Sequence, residues 1–391
     1  MRRSRALLLV SSLTIVLILL GSGAALTAGA GEGTFKQMLL FSEVLSFAMD
    51  NYVDPVDADK LMHGAYEGLM SGLDAHGAYL SPDEVAAWKR GPSADDVADP
   101  GVSVLKSGPV VQVVAVAAGS PAEGNGIAPG DQIRKIDGRS VRSMSLDQAQ
   151  RLLRGVAGSS VELDLLRVKD LKREVVKIAR AARRGAPFVL DVTGAVAVLK
   201  VRDLDRLPNE ALAQELVAVR DRGVDRVLVD LRDAASADTR HAAAVAELFA
   251  GGELLKLKDR AGRAVETISA QRPKPAWSGK VGVLVNGGTA GAGEGLAMIL
   301  QDRSRATIFG ESTYGLGTEP KLIELPEGGG LLVPGFVWET AGGKRWNTDG
   351  IVPDKVVKAD ARPTDGDDEQ LKKALDEFGK TEVTEAAPKA A

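Results

Sequence analysis

The sequence predicts an α+β multidomain chain: a helical N-terminal region, a compact β-rich module, and an α/β core on a mostly parallel sheet. Three observations predict it. Apolar residues recur every three or four positions from Phe35 to Arg90, the period of a helix. From Gly101 to about Ala182 the pattern changes to short apolar runs separated by Gly, Pro and Asp, which reads as strands and turns. From Pro187 to about Lys358 apolar runs alternate with amphipathic segments, the order of strands covered by helices.

Composition narrows the function classes. A chain of 391 residues is long enough for two or three domains, and a hydrophobic content of 45% excludes global disorder. The net charge of −4, with both signs interspersed, argues against a nucleic-acid partner. The absence of Cys removes disulfides, thiol nucleophiles and Cys-ligated metals. His63, His76 and His241 are the three histidines, and no two share the i, i+4 spacing of a zinc helix. No metal and no cofactor is expected.

The N-terminus reads as an export segment. Met1-Arg2-Arg3-Ser4-Arg5 is cationic, Ala6 to Leu20 is apolar, and small residues follow up to Ala28-Gly29-Ala30. That order is the pattern of a secretory signal peptide, and the run with Gly21 to Ala30 is also nearly long enough to span a bilayer. A cleaved signal and a retained inner-membrane anchor both remain open. In either case the rest of the chain is expected outside the inner membrane, in the periplasm, secreted or anchored by residues 1–30.

In the helical region, expected over 35–98, Phe35, Met38, Phe41, Leu45 and Met49 form one apolar stripe and Leu40, Val44 and Phe47 another. A helix apolar nearly all round calls for a burying partner. Asp57 is placed to cap a second helix through Met70, and Ser81-Pro82-Asp83-Glu84 opens a third. Residues 91–100 read as a linker.

The β-rich module, expected over 99–182, begins with a buried strand at Val110 to Val116. Gly119-Ser120-Pro121-Ala122-Glu123 starts a short helix, Ile127-Ala128-Pro129-Gly130-Asp131 turns into a strand at Gln132 to Ile136, and Asp137-Gly138 makes a hairpin turn. Ser145 caps a helix to Arg154, and strands follow at Val161 to Arg167 and Arg173 to Ala179. This order, with Gly-Ser-Pro-Ala-Glu, Gly-Ile-Ala-Pro-Gly-Asp and Ile-Asp-Gly, resembles a PDZ domain of sandwich or barrel-like form. The resemblance implies binding of protein C-termini by strand addition, the carboxylate held by backbone N–H groups of an entry loop. It places Gly101, Val102, Ser103 and Val104 at that loop and edge, and Gln148 and Leu152 on the groove side of the helix. A foreign C-terminus is favoured over a groove filled by the protein's own segments.

In the core, expected over 187–360, strands are read at Val189 to Val201, Arg226 to Leu231 and Lys280 to Val285. Helices are read at Glu210 to Arg222, Ala242 to Phe249 and Gly293 to Asp302. Residues 361–391 read as a charged, Ala-rich tail, with Leu371 to Phe378 helical and Asp365 to Glu369 solvated.

The segment Val281 to Glu294, reading V-G-V-L-V-N-G-G-T-A-G-A-G-E, resembles the C-terminal processing (tail-specific) serine peptidases. Further landmarks in the right order are Tyr52-Val53-Asp54, Leu73 to Leu80, Asp230-Leu231-Arg232, Gln301 to Ala306, Gly310 to Gly315 and Gly350-Ile351-Val352-Pro353-Asp354. The family carries a Ser nucleophile in S-A-S-A-S-E, a Lys base in T-F-G-K-G, and a Gln four residues later. The corresponding positions here are Gly291, Leu316 and Pro320. The family's D-L-R-x-N-P-G-G oxyanion loop reads Asp230 to Ala237, with Ala234, Ala235, Ser236 and Ala237 in its last four places. Glycine has no side chain to attack with, and leucine has no lone pair to take a proton. The resemblance therefore implies a PDZ-bearing scaffold without catalytic residues. Its partners would be protein C-termini, an active paralogous peptidase, or a second copy. The alternative is an active serine- or threonine-type endopeptidase with another nucleophile, for which Thr289, Ser312 and Lys321 are the neighbours to test.

Overall fold

The computed structural model describes residues 31–91, 98–303, 305–359 and 368–380. The expected leader Met1–Ala30, most of the 91–100 linker, most of the acidic run and the final tail lie outside the described residues. Among the described residues, no helix is long and apolar enough to cross a membrane. The chain divides into two compact units, Met1–Tyr66 and Glu67–Ala391.

In the first unit, α1 spans Gly31–Asn51, and α2 (Ala58–Ser71) begins there and runs on past its end. The Asp57 carboxylate accepts from Asp59 N at 2.9 Å and Lys60 N at 3.3 Å, the cap the sequence predicted. Both apolar faces of α1 are solvent-exposed, Phe35 at 63% and Phe47 at 57%.

The second unit opens with β1 (Ala78–Leu80) and α3 (Pro82–Arg90). Ser81 Oγ accepts from Glu84 N while the Glu84 carboxylate accepts from Ser81 N, a reciprocal capping box. The β-rich module follows: β2 (Ala98–Asp99), β3 (Val102–Ser107), β4 (Val110–Val116), α4 (Pro121–Gly124), β5 (Gln132–Ile136), β6 (Arg139–Ser140), α5 (Leu146–Leu153), β7 (Ser160–Leu166), β8 (Arg173–Ala179) and β9 (Ala181–Ala182). Its sheet is antiparallel in the order β3-β4-β5-β7-β8, with β6 on β5. Asp137 and Gly138 both take positive φ, 48° and 76°, as a two-residue hairpin turn requires. Ile133, Ile136, Leu146, Leu163 and Leu165 are fully buried at its centre.

The core continues with β10 (Phe188–Thr193), β11 (Val196–Val201), α6 (Asn209–Asp221), β12 (Arg226–Asp230), β13 (Ala235–Ser236), α7 (Arg240–Ala246), β14 (Glu253–Asp259), β15 (Ala264–Ser269), β16 (Lys280–Val285), β17 (Ala290–Gly291), α8 (Ala292–Asp302), β18 (Ala306–Gly310), β19 (Thr318–Glu324), β20 (Gly330–Thr340), β21 (Lys355–Val356) and α9 (Glu369–Lys380). One sheet runs β10-β11-β12-β16-β18-β21, parallel except for β10. Helix α9 packs Ala374 and Phe378 onto it, and Gly282 allows the approach: a Cβ there would meet Phe378, Phe309 and Leu228 at 3.0–3.2 Å.

Two features differ from the sequence reading. A second, antiparallel sheet, β1-β20-β14-β15 with β19 on β20, was not read at all. Its strand β1 comes from the region expected to be helical. Asp368, expected to be solvated, instead accepts from the Arg232 guanidinium at 2.6 and 2.9 Å.

Candidate functional site

Strand β16 ends at the Asn286–Thr289 loop, and β17 turns sharply into α8. Gly291 sits at the turn with φ 58° and ψ −114°, a backbone that a side chain adopts only under strain. Two carbonyls close over the turn. A Cβ at Gly291 would lie 1.9 Å from Ser236 O, and one at Gly293 would lie 2.4 Å from Ala234 O. Both carbonyls belong to the Ala234–Ala237 loop, whose β13 pairs in parallel with β17. Carbonyl oxygens of that loop therefore stand where a side chain at the turn would have to go.

Leu316 is brought against the same point, its Cδ2 3.7 Å from that Cβ position. It is 5% exposed and joins the apolar cluster of the β-rich module, together with Ala290, Val102, Val104 and Leu153. Pro320 stands in β19 opposite Pro334, beside a register shift. Of the three family positions, the structure thus brings Gly291 and Leu316 into contact and fills the space between them with hydrocarbon.

A buried carboxylate holds this arrangement. Glu294 is fully buried and accepts four hydrogen bonds: Thr313 Oγ1 at 2.5 Å and Gly315 N at 2.6 Å on Oε1, Leu316 N at 2.8 Å and Gly291 N at 3.0 Å on Oε2. Burial outweighs these donors and pushes its carboxyl up to about 7. Its role is to tie the 313–316 loop to the start of α8.

The neighbouring hydroxyls and amines are committed elsewhere. Thr289 Oγ1 donates to Leu231 O at 2.8 Å and accepts from Asn286 N at 3.1 Å. Ser236 Oγ donates to Asp205 Oδ1, which His241 Nδ1 approaches at 3.2 Å. Ser312 and Lys321 are exposed. Lys106 is pushed down to about 8 by burial, but its ammonium donates to Val141 O, Arg142 O and Met144 O at 2.6–3.0 Å. None of these groups is a base aimed at a nucleophile.

The edge strand expected at Val102–Val104 is present. Strand β3 lies at the margin of its sheet, paired among the described residues with β4 alone, and carries Val102, Ser103 and Val104. Gly101 N, placed in the entry loop, already donates to Asp99 Oδ1 at 2.7 Å. Gln148, placed on the groove by the sequence reading, is turned away from it. Its Oε1 accepts from Ser145 N at 2.9 Å, closing a capping box, and its amide reaches Tyr79 O at 3.4 Å. Leu152 is half-buried against the module's core. Gln150 and Leu153 of α5, with Arg154 at its C-terminal cap, line a cleft together with that edge.

His76 fastens the 74–77 segment to α5. It is 2% exposed, its Nδ1 is 2.6 Å from Asp147 Oδ2, and Ala75 O accepts from Leu146 N at 2.7 Å. On the other side, Asp74 accepts from Thr318 Oγ1 at 2.7 Å. Burial disfavours the imidazolium, yet Asp147, with Asp74 and Glu319 nearby, outweighs it and raises His76 above 6.5. The folded state then holds a proton that the unfolded state releases, so this contribution is lost as pH rises through the folded pKa. Chemical denaturation across pH is expected to show that loss in the parent chain and not in His76→Gln; identical pH profiles would refute it.

Residues 195–357 match the family model "Peptidase family S41", and residues 112–167 match the PDZ domain. The chain thus carries an S41-like core and a PDZ domain. The chain is 27% identical over 339 residues to the carboxy-terminal-processing protease of Bartonella bacilliformis, covering 85% of this chain and 78% of that protein. It is 26% identical to the carboxy-terminal processing protease CtpA of Bacillus subtilis, covering 85% of this chain and 71% of that one. It spans 62% of the length of a probable CtpA-like serine protease of Staphylococcus aureus, at 27% identity over 78% of this chain. Among solved structures it resembles the photosystem II D1 C-terminal processing protease, with a TM-score of 0.62 at 26% identity, over 85% of this chain and 96% of that chain.

Proposed function

We propose that this chain is a pseudopeptidase: an exported S41 scaffold that binds protein C-termini and regulates or scaffolds, without hydrolysing peptide bonds. The observation that carries this reading is Leu316. The position that resembles the family's base holds a hydrocarbon side chain, buried in the PDZ core and packed towards a glycine where the nucleophile would stand. Export rests on the Met1–Ala30 pattern, as a cleaved signal or as an inner-membrane anchor. The exposed apolar faces of α1 support assembly, with a second copy or with an active paralogue.

Two measurements test the reading on the full chain. A fluorophosphonate probe is expected to leave it unlabelled and β-casein is expected to stay intact; time-dependent cleavage abolished by Thr289→Ala would overturn it. Peptides ending in Ala, Val or Leu are expected to bind with a free carboxylate. Amidation should weaken them at least about tenfold, since a hydrogen bond to a charged group contributes about 1.5–3 kcal/mol. Equal affinity for acid and amide would show that termini are not what is read.

A further inference from the structure

Among the described residues no strand pairs with the outer edge of β3, yet that edge is not empty. Facing it lies β13 of the Ala234–Ala237 loop. Ala235 packs on the apolar cluster that holds Val102, Val104 and Leu153, the side chains that would line a pocket for a ligand's last residue. What remains between loop, edge and α5 is a cleft of about 30 Å³, room for about one water molecule.

The loop is held there from two sides. Its backbone pairs with β17, and Ser236 Oγ donates to Asp205, which also engages His241. The segment carrying Asp205 is itself bound to the entry loop of the edge. Arg183 bridges Asp203 at 3.1 Å and Asp99 at 2.7 Å, and Asp99 accepts from Gly101 N. One continuous network therefore runs from the entry loop to the latch on Ser236.

We propose that the Ala235–Ala237 loop is an intramolecular gate on the C-terminus-binding edge, latched by Ser236, Asp205 and His241. Its occupant when open is a peptide with a free carboxylate and a small apolar last side chain. Strand addition requires the N–H and C=O groups of β3 and the space Ala235 fills, so peptide and loop compete for one place. Arg154, at the end of α5 and lining the cleft, supplies a cation for the incoming carboxylate. The proposal rests on the reading of the PDZ edge given above.

The experiment compares the full chain with Ser236→Ala and Asp205→Asn. The probe is a fluorescein-labelled ten-residue peptide ending in Ala-Leu-Ala, as free acid and as amide, read by anisotropy alongside amide hydrogen exchange. The expected result is binding of the acid at least about tenfold tighter to either variant than to the parent chain. Exchange should be faster at residues 234–237 and at Val102–Val104. Equal affinities would overturn the gate, and unchanged exchange at both segments would overturn the latch whatever the peptides do. Faster exchange with no binding to any form would sink the C-terminus reading and leave the latch standing.

Discussion

Restoring the family's residues with Gly291→Ser, Leu316→Lys and Pro320→Gln is expected to leave β-casein uncut and to destabilise the chain by about 3 kcal/mol or more. Three effects add. Lys at 316 removes a buried leucine, at about 1.5–3 kcal/mol, and introduces an ammonium into an apolar cluster, where the nearby Glu294 carboxyl is already committed to four donors. Ser at 291 must place its Cβ where Ser236 O now stands, in a backbone conformation with φ 58°. The loop would have to withdraw to admit the side chain, and withdrawal alone aims no N–H at the reacting oxygen. Losing one such donor costs about 10²–10³ in rate. Denaturant titration and a casein assay check both halves; family-like turnover in the triple variant would refute the account of the loop.

Glu294→Ala is expected to be the most damaging single substitution at the site, costing about 4 kcal/mol or more. It strips the acceptor from Gly291 N, Gly315 N, Leu316 N and Thr313 Oγ1 at once, and each buried donor left unpaired costs about 1–3 kcal/mol. The pH dependence has a definite sign. With the folded carboxyl at about 7 and its ordinary value at 4.5, the folded state binds the extra proton between those limits, and stability falls as pH rises across them. The penalty of Glu294→Ala is therefore expected to be larger at about pH 5 than at about pH 8, in paired urea titrations. A penalty independent of pH would mean that Glu294 is ionised throughout.

Features encoded locally were legible in the sequence. Ser81, Ser145 and Asp137-Gly138 announce their caps and turn within four residues, and the apolar runs of β11, β12 and β16 are continuous because both faces of their sheet are covered. The antiparallel sheet was not legible. Strand β19 contains Pro320 and β20 contains Pro334 and Gly335, residues that argue against a strand unless a bulge absorbs them. In β14, Lys256 and Lys258 alternate with Leu255 and Leu257, a pattern that only a half-buried partner sheet explains. At the site, the departures from the family pattern at Gly291 and Leu316 were legible by resemblance, but the carbonyl of Ser236 was not. Neither was the Ser236–Asp205–His241 contact, which joins residues 31 and 36 positions apart in the chain. Gln148 carried its own warning: Ser145 three residues earlier makes it a capping residue, which takes it out of the groove.

Leu316, Ala290 and Tyr314 belong to the apolar interior of a module that ends, in sequence, before residue 183. A domain normally keeps its interior to itself and can be lifted out whole. Here the boundary runs through the oil rather than around it. Cutting out residues 99–182 would strip away part of that interior and leave Val102, Val104 and Leu153 facing water, so the excised piece should be adhesive and poorly cooperative. The intact second unit, by the same token, should melt in a single calorimetric step, the β-rich module and the core losing their order together.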